Sequence, residues 1–68
     1  MFYVIEATET TSGTAKAITE KDNIDEAFML HWQVLASAVA NVNASACLCM
    51  IVNTDGNPIR KEHWVRQA

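Results

Sequence analysis

Two cysteines and two histidines, Cys47, Cys49, His31 and His63, make up a zinc-ligand inventory by residue type. Their spacing argues against a shared ion. In a strand, Cys47-Leu48-Cys49 aims both sulfurs to one face, whereas His63 is expected opposite Leu48 and so on the other face. His31 falls on the buried side of an expected helix, turned away from those sulfurs. No metal or other cofactor is expected. A Cys47–Cys49 disulfide is disfavoured as well, because same-face neighbours in an extended strand lie about 6.6 Å apart with parallel side chains. Neither thiol has an activator, and Glu62, the expected neighbour of Cys49, opposes a thiolate. Both read as small apolar residues of a core or contact surface.

The other candidates thin out in the same way. His31 sits in an apolar stripe, where a histidine could be a base, a ligand or a pH switch, but no Ser, Asp or Cys is placed to work with it. Asp22, Asp25 and Glu26 could attract a cation, yet they suit the positive end of a helix without one. Arg60-Lys61-Glu62-His63-Trp64-Val65-Arg66 interleaves basic and aromatic residues, a texture found where strands touch nucleic acid. Alternation splits that set, with Arg60, Trp64 and Arg66 on one face and Lys61 and His63 on the other. There is no nucleophile–base pair and no phosphate-cradling loop, since both glycines are needed for turns. The chain is not expected to be an enzyme.

Composition sets the outer limits. Sixty-eight residues form a single compact domain over 1–68, near the lower size limit for independent folding. A net charge of −3 gives no general field for nucleic acid or anionic membranes. No apolar run approaches the roughly 20 residues of a membrane span, and no basic segment followed by a long apolar one opens the chain. With reduced cysteines, the expected location is the cytoplasm.

The elements that carry these residues follow from period and turn chemistry. Phe2 to Thr10 and Ala15 to Lys21 read as a hairpin about Ser12-Gly13, which sets Glu9 opposite Lys16 and Ala7 opposite Ile18. Asn23, with Glu26 three residues on, is a helix N-cap. Ile24, Phe28, Leu35, Val39 and Val42 recur at helical spacing, with Ala27, Trp32 and Ala38 beside them, and Asn41 and Asn43 end the helix as left-handed caps. Ser45 to Thr54 is an apolar run suited to a central strand. A two-residue Asp55-Gly56 loop then pairs Val52 with Ile59, Met50 with Lys61, Leu48 with His63 and Cys49 with Glu62. The expected fold is therefore α+β: a two-layer sandwich in β-β-α-β-β order, its antiparallel sheet ordered 2-1-3-4, with the helix on one face.

A lone helix covers one face of such a sheet. The expected covered set is Leu48, Met50 and Val52 with Ile5, Ile18, Ile59 and Val65. Val4, Cys47, Cys49, Ile51 and Trp64, rimmed by Arg60, are then left as an open apolar patch, which implies an interface. The function expected from sequence is a non-enzymatic protein-interaction module that self-associates as a homodimer through that patch. Another protein partner is the next candidate. The alternative is a small nucleic-acid-binding or regulatory protein using the basic and aromatic last strand.

Overall fold

The computed structural model describes residues 1–67. Its elements run β1 (Phe2–Thr10), β2 (Gly13–Lys21), α1 (Ile24–Ala40), β3 (Ala44–Asn53) and β4 (Pro58–Val65), in one antiparallel sheet ordered β2-β1-β3-β4. The expected α+β architecture and strand order are those observed. β2 and β3 both run antiparallel to β1 and hence parallel to each other, so α1 is the crossover between them.

Both hairpins differ from expectation at their corners. In the first, Thr11 and Ser12 form the loop and Gly13, at φ +120°, closes it. The Thr10 hydroxyl donates to Gly13 O at 3.0 Å and accepts from Ser12 N–H at 3.1 Å. Pinning the corner one residue early moves the register by two, so Ala7 faces Lys16 and Ile5 faces Ile18. In the second, Asn53 Oδ1 accepts from the N–H groups of Asp55 and Asn57, each at 3.0 Å, and Gly56 takes φ +85°. The loop is thus three residues long. A bulge compensates: Val52 pairs with Pro58 and Ile51 with Arg60, leaving Ile59 as the extra residue. From Met50 to Ala46 the expected pairing with Lys61 to Val65 then holds.

The helix starts as its sequence specifies, with Glu26 N–H donating to Asn23 Oδ1 at 2.8 Å. It ends differently. Asn41 is extended (φ −86°) rather than left-handed, and its N–H donates to Ser37 O and Ala38 O. The last turn contains no basic residue, and Arg66, just past β4, supplies the cation. Its guanidinium donates to Val39 O at 2.9 Å, Asn41 O at 3.0 Å and Ala44 O at 2.9 Å, while stacking 4.8 Å over Trp64. Val39 O is one of the carbonyls a helix end leaves unpaired, Asn41 O lies at its C-cap, and Ala44 O opens β3, so one guanidinium joins the helix end to the strand that follows it.

The largest correction concerns which sheet face the helix covers. Val4, Cys47, Cys49 and Ile51 are buried; Val4, Cys49 and Ile51 form one cluster with Ala27, flanked by Phe2, Ile24, Phe28, Leu30, Val34 and Leu35. The helix therefore lies on the cysteine face, and Leu48, Met50 and Val52 are outside. Its buried line is Ala27, His31 and Ala38, while Val39, Val42 and Trp32, expected in or beside the stripe, are exposed. Small side chains on both surfaces, alanines above and cysteines below, let helix and sheet approach closely. We predict that Arg66→Ala lowers stability by about 1–2 kcal/mol through its lost hydrogen bonds, measured by urea denaturation, whereas Gln33→Ala, at an exposed helix position, changes it by less than about 0.5 kcal/mol.

Candidate functional site

Strand register groups the side chains into rows across the sheet. Under the helix, one row runs Thr19, Val4, Ile51, Arg60, the next Ala17, Glu6, Cys49, Glu62, and the third Ala15, Thr8, Cys47, Trp64. Four of the six residues expected at an interface, Val4, Cys47, Cys49 and Ile51, are thus interior to a single chain. Arg60 and Trp64 border the helix on the same side. Arg60 pairs with Glu62 and lies 5.3 Å over the Trp32 ring. That β4 flank forms an apolar groove of about 480 Å³ with Leu35, Val39, Glu62 and Trp64 among its walls.

The thiols are free and buried. Thr8 Oγ1 donates to Cys47 Sγ at 3.5 Å. Burial pushes the Cys49 thiol up to about 12, helped by Cys47 and then Glu6, so the expected disfavouring of the thiolate holds, with Glu6 rather than Glu62 as the carboxylate. His31 lies on the same side of the sheet as the sulfurs, not away from them. Even so, among the described residues no three His, Cys, Asp or Glu side chains converge as a metal site.

His31 is fully buried, and neither ring nitrogen has a hydrogen-bond partner among the described residues. Trp32 meets it edge-on at 4.7 Å and Phe28 at 6.3 Å. Burial lowers its pKa, opposed by Glu62 and reinforced by Arg60. Burial thus disfavours the charged ring, and no hydroxyl or thiol among the described residues is hydrogen-bonded to it.

The basic strand is largely engaged within the chain. Arg60 is paired with Glu62 and Arg66 holds the helix end; Lys61 and His63 point to the opposite face. Little positive charge converges there for a phosphate backbone.

The uncovered face is the remaining candidate. Its rows, from β2 to β4, are Glu20, Tyr3, Val52; then Ile18, Ile5, Met50, Lys61; then Lys16, Ala7, Leu48, His63; then Thr14, Glu9, Ala46, Val65. Ile18 is 70% exposed and Val65 49% exposed, and Ile5, Leu48, Met50 and Val52 are half-buried between them. Charge is confined to Glu9 on β1 and to the edge strands. Sequence reasoning identified every one of these apolar side chains but assigned them to the core.

Comparison with protein-family models, with curated proteins and with solved structures finds no match to this chain. Among the described residues no helix is long and apolar enough to cross a membrane.

Two measurements probe the interior. Thiol-reactive probes at pH 8 should label Cys47 and Cys49 only through unfolding of the chain; labelling at the rate of a free thiol would contradict a helix over the sulfurs. The lowered His31 pKa means that the unfolded chain binds the proton more readily. Stability contributed by the neutral ring is complete above about pH 6.5 and is lost below it, with a slope of up to about 1.4 kcal/mol per pH unit. Urea curves between pH 7 and 5 should show the wild type losing stability as the pH falls while His31→Leu lacks that slope; equal pH slopes in the two would contradict a lowered His31 pKa.

Proposed function

We propose that the chain is a non-enzymatic protein-interaction module that works as a homodimer, with the open face centred on Ile5, Leu48, Met50 and Val52 as its contact surface. The carrying observation is that this face bears the larger aliphatic side chains of the two central strands while the single helix lies on the other face.

Size supports a second copy as the occupant. Strands of eight to ten residues, at about 3.3 Å per residue and 4.8 Å between strands, present roughly 550 Å² per chain. Two such faces bury about 1,100 Å², past the ~1,000 Å² that a specific interface needs. The edge strands add charges of both signs, with Glu20 and Lys16 on β2 and Lys61 on β4, so two copies can meet without a net like-charge penalty. A 68-residue domain also gains most from such a partner, because its own core is small. The two free thiols fit a reducing compartment, and a cytoplasmic location is part of this reading.

Sedimentation equilibrium at micromolar concentration tests it. Wild type should sediment at twice 7.5 kDa, and Leu48→Lys, which places a charge at the centre of the contact, should weaken the dimer by at least about 100-fold. A wild type that remains at 7.5 kDa up to about 100 μM overturns the proposal.

A further inference from the structure

The open face is not uniform. Tyr3, Ile5, Met50 and Val52 crowd one half of the central strands, whereas the other half carries Ala7 and Ala46. There the surface drops into a hollow of about 420 Å³, walled by Leu48, Glu9, Lys61 and His63 among others. A bulky half and a hollow half on one surface are complementary to each other. We infer that two copies pack face to face about a two-fold axis lying between the sheets, perpendicular to the strands, so that the bulky half of each fills the hollow of the other. This rests on the homodimer reading above.

An isologous contact has two simple ways to superpose these sheets. With the axis perpendicular to the strands, each strand lies over its own copy and the rows exchange end for end. Ile5 then meets the partner copy's Ala7, Val52 meets Ala46, Met50 meets Leu48, and the Glu9 carboxylate meets the Tyr3 hydroxyl. Ile5 and Val52 each face an alanine, Met50 on Leu48 is the single pair of large apolar side chains, and the carboxylate nearest the centre gains a donor. With the axis parallel to the strands, β1 lies over β3 and rows stay in place. Ile5 then meets Met50, large on large, while Glu9 is pressed onto Ala46 with no donor, a costly burial. Aligned sheets rotate by about 30°, which displaces the edge strands and the outer rows more than the two middle rows, so the choice turns chiefly on Ile5, Ala7, Leu48 and Met50.

Exchanging bulk between rows separates the two axes. Ala7→Ile alone fills the hollow against the partner copy's Ile5 and should weaken the dimer at least about tenfold. The double variant I5A/A7I moves the bulk to the other row, and under the perpendicular axis Ile at 7 again meets Ala at 5, restoring the dissociation constant to within about threefold of wild type. Under the parallel axis the double variant meets Leu48 with the added bulk and Met50 with a gap, and it stays as weak as the single variant. The pair A46V and A46V/V52A repeats the logic on the outer rows, and native thiol protection shows which variants are folded. Rescue in either pair supports the axis. Failure to rescue in folded variants of a dimeric wild type overturns the axis and leaves the dimer standing, whereas a monomeric wild type overturns both.

Discussion

One helix can shelter one side of a sheet, and this sheet's central strand is apolar on both. β3 alternates Cys47, Cys49 and Ile51 with Leu48, Met50 and Val52, so whichever set the helix takes, the other is left to water. The remaining features of the chain follow from how that shortage is handled: the smaller set lies beneath the helix and the larger set forms the open face.

The covered side is assembled for close approach rather than for volume. Ala27 packs on Val4, Cys49 and Ile51, and the buried polar residue among those described, His31, is held among Phe28 and Trp32 with its nitrogens unpaired. A neutral imidazole there costs less than a charged one, which is why burial outweighs the nearby Glu62 in setting its proton affinity. The helix is fixed at its two ends by different means: its own Asn23 at the start, and the distant Arg66 at the finish. That arginine ties the end of β4 to the helix and stacks on Trp64.

Much of this was legible beforehand, for identifiable reasons. Topology followed from two turn signals and one helical period, and the cap from Asn23 with Glu26. The face was not legible, because alternation assigns residues to sides only where one side is polar, and in β3 neither is. Transfer free energy alone favours sheltering the larger aliphatics, but close packing against a helix rich in alanine favours the smaller ones. The corner registers were missed because Thr10 and Asn53 use side-chain bonds to shift each turn by one residue. Arg66 was missed because its targets lie 25 residues or more away for two of its three bonds, beyond any local pattern. Of the expected contact residues, Arg60 and Trp64 lie beside the helix and the other four beneath it, whereas the argument from shortage passes intact to the opposite face.

Under the homodimer proposal folding and association are one process, which is directly measurable. Thermal denaturation of the wild-type chain over a hundredfold range of protein concentration should show Tm rising with concentration, as mass action requires when the folded state is a dimer and the unfolded state is not. A Tm unchanged across that range would mean that Leu48, Met50 and Val52 need no cover, and the account built on their exposure would be wrong.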